Sequence, residues 1–444
     1  MARARLTGWG RHPVIDGDIE QLRSIDELCQ RVRSGRPLIA RGNGRAYGDA
    51  GINAEGTVSM LHFDRLLAFD ATTGVLVSEA GLLLDDLLGV FVPRGWFPPV
   101  SPGTRYVTLG GMVAADVHGK NHPIAGSFGS YVQWLDVIVA NGDIVRCSRD
   151  SQAALFAATL GGMGLTGVIL RCCIRLMRIS SAYLNRSRVV TNNLVETLAT
   201  FQRTEAASYR VAWIDCLQRG ATLGRALVDV AEHADARELP PPLRDRPLQV
   251  RRHTAFVLPF TPPFSPLNSL TVSAFNALYY GAGKRAATTK LLDYQQWFYP
   301  LDSIAHWNRL YGRHGFAQYQ CVLPLANAEA GLGELLREIA DSRCGSFLSV
   351  LKRLGPSTGA LSFPAEGYTL ALDFPWSQTV ATLMLRLDEI VIRHGGHLYL
   401  AKDARVTRAN FERMQPRVAE FRDTRAASGA ATVFQSRLSE RLGL

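Results

Sequence analysis

The sequence of 444 residues predicts an α+β protein of about two to three domains, and three observations support this expectation. Hydrophobic residues make up 47% of the chain and charged residues 20%, which provides enough apolar material for more than one folded core. Residues 37–180 alternate short apolar runs with glycine-rich turns, as strands do. Residues 315–375 again contain strand-like runs, and a helical period follows over Val380 to His394.

The region over residues 37–182 is predicted to consist of strands joined by few helices. Its apolar runs, such as WLDVIVANGDIVRC and LTGVILRCCIRL, are separated by turn residues, and Asn141-Gly142 between two β-rich runs predicts a tight hairpin. Residues 84–92 and 153–160 have the apolar spacing of helices.

The middle of the chain is predicted to carry a long irregular insertion. After residue 182 the glycine density falls, and a proline- and arginine-rich stretch over residues 237–253 leads into an apolar segment that ends at Tyr280. The prolines from Pro259 to Pro266 exclude a continuous helix there. Two interpretations stay open: a surface loop packed on its own domain, or a mobile apolar lid with basic flanks that rests on a membrane surface or a lipid tail.

Charge and cysteine content narrow the class of partner. The chain has 49 Lys and Arg against 39 Asp and Glu, and a net charge of +10 favours an anionic partner such as a phosphorylated substrate or phospholipid headgroups. No long basic run and no RNA-binding or zinc-finger signature is present, so no nucleic acid is expected. The seven cysteines are scattered without a Cys-x-x-Cys pair, which favours reduced thiols and no metal site.

The location expected from the sequence is cytoplasmic or peripheral to a membrane. The N-terminal residues carry arginines without the apolar core of a signal peptide, and no stretch approaches about 18 uninterrupted apolar residues.

Three glycine-rich segments are candidates for a phosphate or cofactor loop. Residues 162–167 fit G-x-G-x-x-G, but this segment follows a helical pattern and precedes a strand, which is the reverse of a Rossmann fingerprint. The first glycine loop, residues 40–49, follows a strand and can present backbone N–H groups to an anion. The second glycine loop, residues 101–111, leads into the HGKNH motif at residues 118–122. No G-x-x-x-x-G-K-[ST] motif occurs, which argues against a nucleotide triphosphatase.

Several uncommon sequence motifs occur in order from about residue 37 to residue 437: RAYGD, PGTR, HGKNH with AGSFG, GLTG, GFAQYQ, SFLSVLK, LSFP and YLAKDAR. Together they resemble the vanillyl-alcohol-oxidase superfamily of FAD enzymes, and within it the branch that oxidises polyprenylphosphoryl riboses. The resemblance implies a PCMH-type FAD-binding domain of two subdomains at residues 1–182 and a substrate-binding cap domain at residues 183–396. The cap domain is expected to have an antiparallel sheet with helices and a flexible insertion at about 237–285. Residues 397–444 are expected to return to the FAD-binding domain.

The resemblance also implies the reaction. The expected activity is FAD-dependent oxidation of the 2′-hydroxyl of a polyprenylphosphoryl-β-D-ribose to the 2′-keto sugar, the first half of an epimerisation to polyprenylphosphoryl arabinose. A nicotinamide-dependent short-chain reductase is the implied partner for the second half, and an anionic membrane surface is the implied site of action. A soluble aldose or alditol oxidase of the same superfamily and a non-catalytic lipid-phosphate-binding protein remain as alternatives.

The implied FAD is non-covalent, because relatives that oxidise sugars tether the flavin through a histidine in the first glycine loop, where this sequence has Arg45 and Ala46. Glycines let the backbone close on a bulky cofactor, and main-chain donors neutralise its phosphates. The cofactor-binding residues that the resemblance implies are Ala40, Arg41, Gly42, Asn43, Gly44, Arg45, Ala46, Tyr47, Gly48, Asp49, Ala50, Gly103, Thr108, Leu109, Gly110, Gly111, Ala115, Asp116, Val117, His118, Val168, Ile169 and Tyr399.

The catalytic residues that the resemblance implies are Lys402 and His118. Lys402 would meet the substrate hydroxyl, either orienting it or accepting its proton, and His118 would lie near the flavin ring and the sugar. Cations suit the phosphodiester and amides suit the ribose hydroxyls. The implied substrate-binding residues are Tyr47, Lys120, Trp213, Tyr299, Gln318, Gln320, Lys352, Thr369, Ala371 and Lys402.

Two positions depart from the family pattern. Ala371 stands where the family has the cysteine that covalent nitroaromatic inhibitors attack, so the resemblance implies intact catalysis without covalent inhibition. Thr369 stands where the family has an asparagine, which leaves its contact with the substrate open.

Overall fold

The computed structural model describes residues 2–251, 254–286, 288–356 and 359–444. Its β-strands, in chain order, are β1 (Ala2–Thr7), β2 (Val14–Glu20), β3 (Ile39–Arg41), β4 (Thr57–Ser59), β5 (Leu66–Asp70), β6 (Val75–Glu79), β7 (Trp96–Phe97), β8 (Val132–Ile138), β9 (Ile144–Ser148), β10 (Val168–Arg175), β11 (Met177–Arg178), β12 (Tyr183–Thr191), β13 (Tyr209–Ile214), β14 (Ala226–His233), β15 (Phe256–Val257), β16 (Thr289–Asp293), β17 (Ile304–Ala305), β18 (Phe316–Pro324), β19 (Ser349–Leu354), β20 (Gly367–Pro375) and β21 (His397–Leu398).

Helices connect and cover these strands. The α-helices are α1 (Ile25–Arg33), α2 (Leu84–Phe91), α3 (Leu109–Ala114), α4 (His122–Ala125), α5 (Ala153–Thr159), α6 (Leu194–Arg203), α7 (Pro241–Arg244), α8 (Ser269–Arg285), α9 (Tyr294–Phe298), α10 (Leu325–Ser342), α11 (Gln378–Arg393), α12 (Arg408–Met414), α13 (Val418–Ala427), α14 (Ala430–Val433) and α15 (Arg437–Leu442). Short 3-10 helices cover Val92–Arg94, Phe128–Tyr131, Gly220–Thr222, Ala236–Glu238, Pro300–Ser303 and Trp307–Tyr311. Within the described ranges, none of the helices is long and apolar enough to cross a bilayer.

The N-terminal part contains two larger sheets and a two-stranded sheet of β7 and β11. A four-stranded sheet has the order β1-β2-β4-β3, in which β4 runs parallel to β2 and β3. A five-stranded antiparallel sheet has the order β5-β6-β10-β8-β9. Its strands β8 and β9 form the hairpin predicted at Asn141-Gly142, where Gly142 has a φ of 81° that the turn requires. The helices predicted at 84–92 and 153–160 are confirmed as α2 and α5.

An eight-stranded sheet with the order β16-β12-β14-β13-β19-β20-β18-β21, here called the cap sheet, forms the centre of the second part. The predicted strands over 315–375 are confirmed as β18, β19 and β20, and the predicted helix at Val380 to His394 is confirmed as α11. One face of these strands buries apolar side chains beneath α10 and α11, because successive strand residues point to opposite faces. The mixture of helices with antiparallel sheets confirms the α+β prediction.

The predicted irregular insertion is wrong over its second half, because α8 spans Ser269–Arg285. The prolines end at Pro266, and Asn268 then caps the helix by accepting hydrogen bonds from the N–H groups of Leu270 and Thr271. The first half is mostly loop, with the short helix α7 (Pro241–Arg244) and one short strand, β15, which pairs in parallel with β17. Residues 252 and 253 of the predicted proline- and arginine-rich stretch lie outside the described residues.

The C-terminal residues contact the N-terminal part at several points. The N–H of Gln435 donates to the carbonyl of Leu38, and the guanidinium of Arg441 lies 2.9 Å from both carboxylate oxygens of Asp49. The Nε of the fully buried Arg425 donates to the carbonyl of Leu165 over 2.8 Å. These bonds attach the C-terminal helices to the residue before β3, to the end of the first glycine loop and to the glycine-rich segment before β10.

Candidate active site

A cavity of about 1650 Å³, counting space open to solvent, lies between the N-terminal part and the cap sheet. The part of this space that the centre of a water molecule can reach is about 300 Å³, which is at the lower end of the roughly 300–1,000 Å³ of ligand sites in proteins. Both glycine loops, the polar face of β18 to β20 and residues 399–402 line it. The cavity therefore joins segments that are widely separated in sequence.

The two glycine loops touch each other along one side of the cavity. A Cβ added at Gly42 would lie 2.2 Å from the hydroxyl of Thr108, so only glycine fits at this crossing. Gly44 has a φ of 61°, which lets the first loop turn back after β3. A Cβ added at Gly51 or Gly103 would meet no atom within 4 Å, although both residues line the cavity. The backbone at these two positions is therefore open to a bulky ligand.

The first glycine loop also places two guanidinium groups at the cavity. Arg41 donates to the carbonyls of Thr7 and Gly51 over 2.8 and 3.1 Å, which shapes the loop from below. Arg45 stacks on the Trp9 ring at 3.9 Å, and its Nε has no hydrogen-bond partner among the described residues. Burial lowers the pKa of both arginines, so a bound anion would be favoured here. Open glycine backbone and cationic side chains together fit a cofactor that carries a pyrophosphate.

The structure brings most of the predicted cofactor-binding residues to the cavity wall. Those that line it are Ala40, Arg41, Gly42, Asn43, Gly44, Arg45, Ala46, Tyr47, Gly48, Ala50, Gly103, Thr108, Gly111, Ala115, Val117, His118 and Tyr399. Six do not line it: Asp49, Leu109, Gly110, Asp116, Val168 and Ile169.

Those six residues support the wall from behind. Asp49 pairs with Arg441, and Asp116 accepts a hydrogen bond from the N–H of Gly129 over 2.9 Å. Leu109 is fully buried in the N-terminal core, and a Cβ added at Gly110 would lie 2.8 Å from the Cβ of Ala80. Val168 and Ile169 begin β10 and are buried. The packing and hydrogen bonds of these six residues therefore account for their residue types, and no direct contact with a ligand is needed to explain them.

Five side chains at one end of the cavity form what we call the Lys402 cluster: Lys402, Tyr47 and Gln318 line the wall, and Asp373 and Tyr311 lie off it. The Lys402 Nζ lies 3.7 Å from the centre of the Tyr47 ring. The register of β18 and β20 pairs Gln318 with Asp373, and the Gln318 amide donates to a carboxylate oxygen over 2.5 Å. The Tyr311 hydroxyl donates to the other oxygen over 3.4 Å.

The Lys402 cluster contains two groups that titrate near neutral pH. Burial lowers the pKa of Lys402 to about 7, and the charge of Asp373 opposes this effect. Burial raises the pKa of Asp373 to about 7, and its hydrogen bond from Gln318 and the charge of Lys402 oppose that effect. The amine of Lys402 on the cavity wall can therefore exchange a proton with a ligand hydroxyl near neutral pH, and Asp373, which lies off the wall and accepts from Gln318, changes charge in the same range.

His118 lies on the cavity wall beside this cluster. Its Nε2 is 2.9 Å from the amide nitrogen of Gln320, and its Nδ1 is 3.4 Å from the carbonyl of Gly119. Burial, together with the charge of Lys352, holds the pKa of His118 well below its usual value. The contacts fit a neutral imidazole that accepts at Nε2 and donates at Nδ1.

Two further lysines make this end of the site cationic. Lys352 on β19 lines the cavity, and burial lowers its pKa to about 8. Lys120 does not line the cavity: its Nζ donates to the Trp297 carbonyl and lies 4.3 Å from the centre of that ring. Burial and the neighbouring charge of Lys352 lower the pKa of Lys120 to about 7.

Three predicted substrate residues also lie off the cavity wall. Trp213 donates to the Phe347 carbonyl over 3.0 Å and packs against the Tyr279 ring. Tyr299 is buried with its hydroxyl 2.5 Å from that of Ser101. The hydroxyl of Thr369 accepts a hydrogen bond from Gln320. The other predicted substrate residues, Tyr47, Gln318, Gln320, Lys352, Ala371 and Lys402, line the cavity.

The sequence analysis missed several residues at the site. Asp373 follows Thr369 and Ala371 at two-residue steps along a strand, so this spacing was a signal that all three share one face. Trp9 and Trp307 also line the cavity, together with Asp302. They come from an N-terminal loop and from the segment after α9, and no motif in the sequence connects these segments to the glycine loops.

Comparison with known proteins adds independent evidence. Residues 14–148 match the family model described as FAD binding domain. The chain is 36% identical to decaprenylphosphoryl-beta-D-ribose oxidase of Mycolicibacterium smegmatis over 99% of this chain and 97% of that protein. It is 35% identical to a Streptomyces coelicolor protein named "Uncharacterized protein in mprA 5'region" over 82% of this chain and all of that protein, 100%. It is 28% identical to L-gulonolactone oxidase of Bos taurus over 34% of each chain.

Proposed function

The chain belongs to the decaprenylphosphoryl-β-D-ribose oxidase family of FAD-dependent oxidoreductases, and we propose that it oxidises the 2′-hydroxyl of a polyprenylphosphoryl-β-D-ribose to the 2′-keto sugar. The observation that carries this proposal is that Lys402, Gln318 and His118 meet in one cavity with both glycine loops. A secondary alcohol bound there would have proton-accepting and hydrogen-bonding groups within one wall.

The reaction divides between the cofactor and the protein. When bound, FAD accepts the hydride that leaves the carbinol carbon. Lys402 is the group that orients the hydroxyl and takes up its proton, since its pKa of about 7 allows both protonation states near neutral pH. The Gln318 and Gln320 amides supply hydrogen bonds for the remaining hydroxyls, and the Gln320 amide at the same time holds the His118 ring.

The phosphodiester is assigned to the cationic side of the cavity. Lys352 lines the wall, and Lys120 lies close enough to Lys352 for the two charges to affect each other. A bound phosphate would relieve this repulsion, because it favours the protonated form of both amines. The positions of Lys120 behind Trp297 and of Trp213 and Tyr299 off the wall suggest that these residues act by shaping the site.

The FAD is proposed to be non-covalent. The first glycine loop has no histidine, and the Nε2 of His118 is already held by the Gln320 amide. Acid precipitation of the purified protein should therefore leave all yellow colour in the supernatant. A flavin that stays with the precipitated protein would contradict this assignment.

The surface above the cavity is proposed to dock on an anionic membrane. Exposed apolar side chains of the β15 loop and α8 form what we call the apolar patch: Phe256, Val257, Phe260, Phe264, Leu270, Phe275, Leu278 and Tyr279. Phe264 is 80% exposed and Leu270 is 77% exposed, so neither packs on its own domain. Aromatic and apolar side chains with basic flanks favour the interface of a bilayer.

The apolar patch is connected to the cavity by direct contacts. Strand β15 pairs with β17, and β17 lies between Leu301 and Trp307, which both line the cavity. The guanidinium of Arg309 donates to the carbonyl of Leu258 over 2.6 Å, which fastens the loop to the same segment. Lys284 and Arg285 in the last turn of α8 and Lys290 on β16 supply positive charge nearby. A lipid-linked substrate would thus reach the cavity from the side that faces the membrane.

Vesicle binding tests the membrane assignment. Phe260→Ser and Phe264→Ser should each weaken binding to phosphatidylglycerol vesicles by about tenfold, because each change removes one large apolar contact with the bilayer. Val195→Ser is the matched control, since Val195 is 60% exposed but lies on α6 outside the patch. Unchanged binding of both phenylalanine variants would exclude the patch as the docking surface.

Anaerobic flavin reduction tests the reaction itself. We expect the visible absorption of the bound flavin to bleach with a short-chain polyprenylphosphoryl ribose and to persist with free ribose or an alditol. Bleaching by the free sugar or the alditol would favour a soluble aldose or alditol oxidase. A protein that binds the lipid phosphate but has no reducible flavin would be a non-catalytic binding protein.

The keto product requires a second enzyme if epimerisation is to be completed. Reduction of the 2′-keto group from the opposite face by a nicotinamide-dependent short-chain reductase would give the arabinose epimer. A coupled reaction with such a reductase should consume reduced nicotinamide only when this protein and its substrate are both present. Consumption without the substrate would argue against this pairing.

A further inference from the structure

Asp373 differs from several other buried carboxylates of the molecule in how its charge is balanced. Asp215, Asp388 and Asp49 are each buried in direct ion pairs with Arg225, Arg405 and Arg441, at distances of 2.5 to 2.9 Å. Asp373 is only 1% exposed, yet within the described ranges no cation forms a direct ion pair with it. Its side-chain partners there are Gln318 and Tyr311, which are both neutral donors.

A buried carboxylate without a direct cation is costly, because desolvation disfavours its charged form. The cation whose charge acts on Asp373 is Lys402, across the Lys402 cluster. The influence is mutual, since Asp373 is the acidic group that favours the ammonium form of Lys402, while burial and the charge of Lys352 oppose that form. The arrangement places an incompletely balanced carboxylate off the cavity wall, in hydrogen-bond contact with the Gln318 amide that lines the wall and near enough to Lys402 for the two charges to affect each other.

We propose that Asp373 is a positioning residue that acts through Lys402 and Gln318: its carboxylate favours the ammonium form of Lys402 over the amine form in the resting site and fixes the Gln318 amide. This inference rests on the proposed function, because it concerns the lysine that meets the hydroxyl. With Asp373 in place, both forms of Lys402 are populated near neutral pH: the ammonium form donates a hydrogen bond to an incoming hydroxyl, and the amine form accepts the hydroxyl proton. Without it, Lys402 stays neutral at pH 7.

The other titratable groups around the pair have simpler states. Burial raises the pKa of both Tyr47 and Tyr311 well above the usual value, so both phenols stay neutral. His118 is neutral because its pKa is lowered. Lys352 and Lys120, with pKa values of about 8 and 7, are the remaining groups that change charge in the same range.

Arg45 and Asp302 act on the Tyr47 side of the cluster and lie further along the cavity wall. Because Lys352 and Lys120 titrate in the same range as Lys402, a Lys402→Met variant is needed to assign an observed inflection to Lys402.

The test is a pH titration of the bound flavin's visible absorption without substrate, followed by the pH profile of flavin reduction by the short-chain polyprenylphosphoryl ribose. We expect one inflection near pH 7 in the wild type that is absent in Lys402→Met. In Asp373→Asn this inflection should move to lower pH by about one unit or more, as loss of a nearby opposite charge demands. Asp373→Glu keeps the negative charge, so its inflection should lie close to the pH found for the wild type.

Asp215→Asn is the matched control. Asp215 is a buried carboxylate at the end of β13 in the same sheet, but it pairs with Arg225 and not with Lys402. This variant should leave the inflection in place. Asp373→Ser is measured in parallel, so that a folding defect of the asparagine variant does not decide the result.

Each outcome bears on the inference. If the Asp373 variants retain FAD and the inflection does not move, Asp373 does not control Lys402 and the inference is wrong. If the inflection moves but the lipid-linked sugar does not reduce the flavin, the inference stands and the proposed substrate fails. An equal shift in Asp215→Asn would reduce the effect to general electrostatics and would also overturn it.

Discussion

The two faces of β18 and β20 are built from the same strands and serve opposite purposes. On one face Tyr319, Leu370 and Leu372 are buried in the apolar core under α10 and α11. On the other face Gln318 and Asp373 form a short hydrogen bond at the cavity. A step of one residue along the strand thus separates a side chain that stabilises the fold from one that serves the site.

The two faces differ in how many polar side chains they bury. Most side chains on the core face are apolar, apart from Tyr319, whose hydroxyl donates to Asp388, so the main contribution of this face is packing and apolar burial. The cavity face keeps amines, amides and a carboxylate out of bulk water, and this shifts the pKa of Lys402 and Asp373 to about 7. Substitutions on the cavity face should therefore change chemistry, and those on the core face should change stability.

The largest effect is expected for Lys402→Met on the cavity side. Removing the amine should lower the rate of flavin reduction by about 10²–10⁴-fold, because a positioned proton acceptor contributes that much. Stopped-flow reduction under anaerobic conditions measures it, with FAD content and Tm as controls for folding. A rate within tenfold of the wild type would remove Lys402 from the chemical step.

Leu370→Ala on the core face should lower the stability of the protein and leave the rate of flavin reduction nearly unchanged. Leu370 is fully buried beneath the helices, and its truncation leaves a cavity, so the free energy of unfolding should fall by about 2–5 kcal/mol. Urea denaturation measures this change. The flavin reduction rate of the folded variant should stay near that of the wild type; a loss of rate comparable to that of Lys402→Met would break the division between the faces.

His233 on β14 offers a polar group buried among aromatic rings away from the cavity. Neither ring nitrogen has a hydrogen-bond partner in the described part of the chain, and burial lowers the pKa of His233 to about 4. The unfolded chain takes up this proton near pH 6.5 and the folded chain only near pH 4, so stability should fall as the pH drops between these values.

His233→Phe should remove that part of the pH dependence and leave stability above pH 7 nearly unchanged. Thermal denaturation at pH 4.5, 5.5 and 7.5 compares the two proteins. An identical loss of Tm on acidification in both would show that another group is responsible.

The smallest expected effect on turnover is at Ala371, which lines the cavity and is paired in the sheet with Gln320 on β18 and Val350 on β19. The cysteines of the described residues all lie off the cavity wall, so a thiol reagent or a nitroaromatic inhibitor should form no adduct in the wild-type site. Ala371→Cys should gain a labelled thiol that bound substrate protects, with turnover nearly unchanged. Mass spectrometry of the labelled peptide shows whether position 371 carries the label. An adduct in the wild-type cavity would contradict this expectation.

Local patterns in the sequence were sufficient to predict the strands β18 to β20, the helices α2, α5 and α11, and the two glycine loops. These features depend on period, turn residues and glycine spacing, which act within about ten residues. The helix α8 was missed because prolines just before it dominated the prediction. Its start depends on the cap at Asn268, a signal of one residue that is easily overlooked.

The sequence by itself determined which chemistry the chain carries: loops that accept a large anionic cofactor, a lysine and a histidine in uncommon motifs, and a basic net charge. Tertiary structure alone decided which of these residues share a cavity. In the folded protein, Trp213, Tyr299 and Lys120 lie off the cavity wall, whereas Trp9 and Trp307 line it. Asp373 is buried close enough to Lys402 for the two charges to affect each other, and no arginine forms an ion pair with it in the described ranges. The physical reason is that burial and the distance between charges, which set a pKa, arise from contacts between segments hundreds of residues apart.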